Sequence, residues 1–237
     1  MDTETVEARL KDYLLQGVAK EIFFADEAKS IAVAIGNHAE QLNKHGFGGL
    51  FYSLQLAYSD RQTLCVAKMF EAESHRYPTR TIPAILKLIE DHASLWSLPQ
   101  RHMLEGKLVS AGHERQQIQA ADNASLSKLL ASELRRTMPK VERADLPGLS
   151  ASLTKLREAR DKVIAHNEAV NDSARRYATW GEVEELVAYA KNFVTLISFG
   201  FLNLHMGTDS ESYDPTYDAR RSSAALLRLL QSANLVP

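Results

Sequence analysis

Apolar residues in this chain recur every three to four positions through one stretch after another. No segment of useful length alternates them every second position. The first period belongs to the α-helix and the second to the β-strand, so the pattern commits the chain to helices. Punctuation agrees: 11 Gly and 7 Pro in 237 residues are too few for an all-β protein, which needs a turn about every 8–12 residues. Apolar residues at 45% and charged residues at 24% give enough hydrophobic surface for a core and exclude wholesale disorder. The expected fold is an all-α, antiparallel helical bundle with short connections.

Val6, Leu10, Tyr13, Leu14, Val18 and Ile22 place a first helix over about Glu4–Phe24. Asp26 is the expected N-cap of a second, reaching about Lys44 with Ile31, Val33, Ile35, Ala39 and Leu42 turned inward. The glycines of His45–Gly49 break it, and a long helix follows over about Leu50–Glu71. Thr81 caps a short helix ending near His92. Ser97-Leu98-Pro99-Gln100 reads as a capping box with an early proline, and Asp122 opens a helix that stops before Met138-Pro139. Beyond the break at Leu146-Pro147-Gly148, Ser150 is the expected cap of the next helix. Thr179-x-x-Glu182 is a second capping box, opening a helix to about His205, and a final helix covers about Asp218–Ser232. Trp180 is expected to pack the entry of its helix and Trp96 to seal a loop on the core.

The acidic start, MDTETVEARLKD, lacks the layout of a secretion signal. The most apolar window, Phe193–Met206, is too short and too often interrupted to span a bilayer. The expectation is a soluble, cytoplasmic protein with no membrane partner. The single cysteine, Cys65, stands in LCVAKMF and is expected as a small buried hydrophobe. There is no Gly-rich phosphate loop, no GxGxxG and no HExxH. The 8 histidines include one i,i+4 pairing, Glu71 with His75, which falls short of the paired Glu-x-x-His motifs of a di-iron bundle. No cofactor and no metal are expected.

The net charge of −2 predicts no polyanion binding, yet basic residues outnumber acidic ones by 4 from Lys128 to Lys162. Solvated helix faces explain such a run as readily as a nucleic-acid-facing surface does. Within it, LTKLREARDKVIAHNEA (Leu153–Ala169) reads as an amphipathic helix with i,i+4 pairs Arg157–Asp161 and Glu158–Lys162. On a straight helix Arg160 and His166 sit about 9 Å apart along the axis and about 120° apart around it. They therefore make no compact site alone, but two copies across a two-fold axis would flank one groove. A histidine that moves protons near neutral pH and an arginine that holds a phosphorane suit RNA cleavage without metal. Asp161 would orient either group. Lys155, Arg157 and Lys162, with Arg175 and Arg176 beyond the motif, are the expected RNA-binding cations.

The stretch RDKVIAH, Arg160–His166, resembles the Arg-polar-x4-His motif of the HEPN superfamily (higher eukaryotes and prokaryotes nucleotide-binding domains). LREARDKVIAHNE followed by TWGEVEELVAYAK, and upstream LAYSDRQTLCVAKMFEAESHRYPTRTIPAILKLIE, resemble its AbiU-type branch, which is associated with abortive phage infection. The resemblance covers roughly Leu50–Gly207. It implies a HEPN-type bundle that dimerises with the motif helices at the interface, and a metal-independent endoribonuclease acting as a toxin or antiphage effector. Arg160 and His166 would be catalytic, and Asp161 their polar support. Some relatives pair with an antitoxin that modifies a tyrosine two residues after the histidine; Glu168 stands there in this chain. On this reading the chain is one all-helical domain, with a helical extension over 1–45, a core over 50–207 and a C-terminal helix over 218–237. The alternative is a non-catalytic HEPN-like scaffold that binds a protein partner or RNA.

Overall fold

The computed structural model describes residues 2–73, 76, 78–141, 148–161, 178–206 and 215–237. Among them all regular structure is helical: α1 (Thr3–Asp12), a π-helical stretch (Tyr13–Ala19), α2 (Lys20–Asn37), α3 (Ala39–Lys44), α4 (Gly48–Met69), α5 (Ile82–Asp91), a 3₁₀ turn (Ala93–Leu95), α6 (Arg101–Ser110), α7 (Arg115–Ala120), α8 (Asn123–Thr137), α9 (Leu149–Ala159), α10 (Trp180–Leu202) and α11 (Pro215–Ser232). The all-α expectation holds. The chain divides into two compact units, the first comprising Met1–Ala19, Met69–Lys140 and Ala188–Tyr213, the second Lys20–Lys68, Val141–Val187 and Asp214–Pro237.

In the first unit α5 packs on α8 and on the π stretch, and α6 packs on α7 and α8. The buried residues come at helical spacing: Val6, Leu10, Leu14 and Val18; Ile82, Ile85, Leu86 and Ile89; Leu126, Leu130 and Leu134. Thr81 caps α5 by accepting from the Ala84 amide at 3.3 Å, and Asp122 caps α8 by accepting from Ser125 at 2.7 Å. Trp96 is buried, set edge-on to Phe201 at 5.3 Å, and its Nε1 donates to the Ile89 carbonyl at 3.1 Å. It seals the loop after α5, as expected.

The second unit is organised around α2 packed along α11. Ile31, Ile35, Leu42, Phe51, Leu230 and Val236 form one buried cluster. α4 is fastened to α2 by Gln55 donating to the Ala32 carbonyl at 3.1 Å, by Arg61–Glu27 at 3.1 Å, and by the Arg61 guanidinium 4.7 Å over the Phe24 ring. Cys65 is buried, and burial beside Glu21 pushes its thiol up to about 12.

Several expected boundaries move, each for a physical reason. Asp26 does not start a helix: it lies inside α2, where no glycine or proline interrupts the run between Phe24 and Asp26 and Ala25 and Ala28 are both buried. The break comes instead at His38, between α2 and α3. α6 begins at Arg101 rather than at Ser97, because Leu98 takes φ 50° and Asn123 ties the Trp96 and Ser97 carbonyls at 3.3 and 3.0 Å. Gly148, at φ 99°, precedes α9 in place of Ser150. Trp180, expected to pack its helix entry, is 43% exposed. Extended back to Trp180, α10 is the one described helix long and apolar enough to cross a membrane, and half of its most apolar window is buried inside the protein.

Candidate active site

The motif begins at Arg160, the C-cap of α9. No residue from Ala151 to Arg160 is exposed. Ala151, Ser152, Leu153, Thr154 and Leu156 are buried, and the charged side chains between them are half-buried. Ser152 and Thr154 meet the cost of burying a hydroxyl locally, donating to the Gly148 and Ser150 carbonyls at 3.3 and 2.9 Å. A solvated charged face therefore does not describe this helix, and its cations project where water is already partly excluded.

At Arg160 and Asp161 the helix opens to π geometry. π turns are frequent at functional sites. Arg160 Nε donates to Asp161 Oδ1 at 2.6 Å; the arginine side chain is 20% exposed and the aspartate 54%. Asp161, expected opposite Arg157, is thus engaged by its own neighbour. A guanidinium oriented by a carboxylate at the end of a covered helix suits recognition of a phosphate, since its charge is permanent and its N–H groups are fixed in a plane. His166, Lys162, Arg175 and Arg176 lie outside the described residues, as does His75 of the Glu71 pairing.

Lys155 does not stand ready for a ligand. Its Nζ donates to Glu182 Oε1 on α10, while Glu182 Oε2 accepts from the Thr179 amide at 2.7 Å and Thr179 Oγ1 accepts from the Glu182 amide at 3.3 Å. The capping box read from the sequence is present, with a function the sequence did not reveal: its carboxylate also holds α9. The Lys155 ammonium and the Thr179 amide keep the Glu182 carboxyl below the ordinary carboxylate range. Two residues on, Glu184 pairs with Lys29 of α2 at 2.5 Å.

Two cations of the basic run farther upstream, Arg135 and Arg136, are paired in the same way. Arg135 reaches Glu90 through two bonds of 3.3 and 2.7 Å, and Arg136 holds Glu133 at 3.0 and 2.6 Å. Glu90 and Glu182 lie outside the 128–162 window, so a count along the chain could not include them. Moreover, Arg135 and Arg136 belong to the first compact unit and Lys155 to Arg160 to the second.

A cavity of about 310 Å³ near the start of α4 is lined by residues that include Ile35, Leu42, Phe51, Tyr52 and Gln55. Tyr52 is its one titratable group, and no motif residue lines it. Among the described residues, no three of His, Cys, Asp and Glu are grouped to hold a metal ion.

The HEPN AbiU2 family model matches residues 9–224, which includes α9, the whole Arg160–His166 motif and α10. No curated protein and no solved structure matches the chain significantly.

Proposed function

The chain belongs to the HEPN AbiU2 family, and from that premise we propose that it is a metal-independent endoribonuclease, an abortive-infection effector whose active site is completed across a homodimer. The observation that carries the reading is the end of α9. Arg160, its side chain 20% exposed and bonded to Asp161 at 2.6 Å, terminates a helix with no exposed residue from Ala151 onward. Cationic groups on a covered helix suit a groove that a second subunit closes, where lowered water content strengthens their pull on a phosphate.

In the proposed reaction, the imidazole of His166 removes the proton from an RNA 2′-hydroxyl. The 2′-oxygen attacks the adjacent phosphorus, forming the new O–P bond as the bond to the 5′-oxygen breaks. A proton passes to that 5′-oxygen, from the imidazolium of the same or the partner copy. The products are a 2′,3′-cyclic phosphate and a free 5′-hydroxyl, with no redox change and no metal. Arg160 stabilises the extra negative charge of the phosphorane, and Asp161 keeps the guanidinium turned toward it. Arg157, Lys162, Arg175 and Arg176 would hold flanking phosphates. The protein would act in the cytoplasm, with RNA as substrate and an antitoxin protein as its restraint.

The deciding experiment incubates total cellular RNA with purified protein in EDTA, comparing the wild type with His166→Ala and Arg160→Ala. Cleavage by the wild type alone supports the reading. Equal cleavage by all three, or none by the wild type, favours the non-catalytic scaffold.

A further inference from the structure

We infer that Lys155 and Glu182 form a lock that positions the proposed catalytic arginine, and that Lys155 is not an RNA contact; the inference rests on the endoribonuclease reading. The ion pair joins residues 27 apart in sequence, and Arg160, Asp161 and His166 all fall between them. Whatever path that stretch takes, its two ends are fastened at one point. One end is α9, five residues before Arg160; the other is the third residue of α10.

The fastening is stronger than a surface pair. Lys155 and Glu182 are each 24% exposed, so solvent screens them less than it screens the typical exposed ion pair. Both oxygens of the Glu182 carboxylate are used, one by the Lys155 ammonium and the other by the backbone amide of Thr179. A shift of α9 against α10 must therefore break a charge-assisted bond and disturb the helix cap with it. Lys29–Glu184 supplies the built-in comparison. It holds the same turn of α10, at 2.5 Å and with exposures of 33% and 49%, but connects it to α2 and not to the motif helix.

The test uses full-length protein with Lys155→Met, Glu182→Gln, the double variant, Lys155→Arg and Lys29→Met. Glutamine at 182 still accepts from the Thr179 amide, so Glu182→Gln removes the charge pairing and keeps the cap. Single-turnover cleavage of total cellular RNA at saturating protein reads the chemical step. Filter binding of labelled bulk tRNA at two salt concentrations reads affinity. The lock predicts a rate loss of about 10–100-fold for Lys155→Met and for Glu182→Gln, the scale expected of a small misplacement of a catalytic group. It predicts RNA affinity within about twofold, no further loss in the double variant, recovery in Lys155→Arg and a normal rate in Lys29→Met.

A phosphate contact predicts a different set: weaker binding and a shallower salt dependence for Lys155→Met alone, with unimpaired or tighter binding for Glu182→Gln, which releases the lysine. That result overturns the inference while leaving the nuclease intact. Amide hydrogen exchange provides a readout independent of activity. Lys155→Met should raise exchange both at the last turn of α9 and at the first turn of α10, and Lys29→Met only at α10. Unchanged exchange in Lys155→Met refutes the lock. A wild type that cleaves no RNA refutes both the nuclease reading and the positioning of a catalytic group, whatever the exchange shows.

Discussion

Replacing Gly17 by alanine should destabilise the protein, although alanine is the better helix former. The residue lies in the π stretch Tyr13–Ala19. A methyl group there would sit 2.4 Å from Arg80 Cβ, 2.5 Å from the Arg80 carbonyl oxygen and 3.1 Å from its carbonyl carbon. These atoms are stiff, because Arg80 precedes the Thr81 cap of α5 and is held by Asp12 at 2.7 Å. Overpacking of a filled site costs about 1–3 kcal/mol, while removing a glycine from a helix returns about 1 kcal/mol. With a contact this far inside van der Waals range the cost lies at the upper end, leaving a net loss of about 1–2 kcal/mol. For a chain of this size that is a fall in melting temperature of roughly 2–8 °C. Gly106 is the control: it is exposed within α6, and a methyl there meets nothing within 4 Å. Gly106→Ala should therefore gain about 0.5–1 kcal/mol. Urea unfolding followed by fluorescence in a Trp180→Phe background reads both, since Trp96 then reports alone and lies buried in the same unit as Gly17 and Gly106. Equal stabilisation by the two alanines would refute the close approach of Arg80.

Three further outcomes are expected. Arg101 donates to Glu105 at 2.6 Å, Asn123 at 2.9 Å and the Ala121 carbonyl at 2.6 Å, so Arg101→Met should cost about 2–3 kcal/mol; a melting curve matching the wild type would deny that this arginine holds α6, α7 and α8 together. Cys65, 4% exposed with its thiol pushed up to about 12, should resist a thiol reagent at pH 8 until urea unfolds the protein, and prompt native-state labelling would contradict its burial. Arg136 holds the Glu133 carboxyl below its ordinary 4.5, and Lys155 does the same for Glu182; their contribution is present above that ordinary value and is lost as pH falls through the lowered folded values. Acid titration of stability should accordingly show a shallower acid limb in Glu182→Gln than in the wild type, and identical limbs would show that the pairing does not stabilise the fold.

Local chemistry was readable from the sequence, and long-range pairing was not. Thr81, Asp122 and the Thr179/Glu182 box were identified because a cap is a bond between residues three apart. Helical periodicity likewise located the long elements, since burial of one face follows from spacing alone. The π stretch at Tyr13–Ala19 left no comparable signal; Gly17 is needed there because Arg80, distant in sequence, approaches it. Leu98 at φ 50° misled for the same reason, as its loop is shaped by Asn123. The pairing of Arg135 and Lys155 was not legible in the basic run because Glu90 and Glu182 arrive from other elements. The identities of Arg160 and Asp161 were legible, but the bond between them was not: neighbours on a regular helix do not face each other, and nothing local announces a π turn.

RNA cleavage by wild type and His166→Ala, side by side in EDTA and with the product ends analysed, tests the central claim most directly. The account predicts 2′,3′-cyclic phosphate and 5′-hydroxyl ends from the wild type and a loss of at least about 100-fold in the variant, the scale of a general acid–base residue. Equal cleavage by the two proteins, or wild-type cleavage abolished by EDTA, would contradict it.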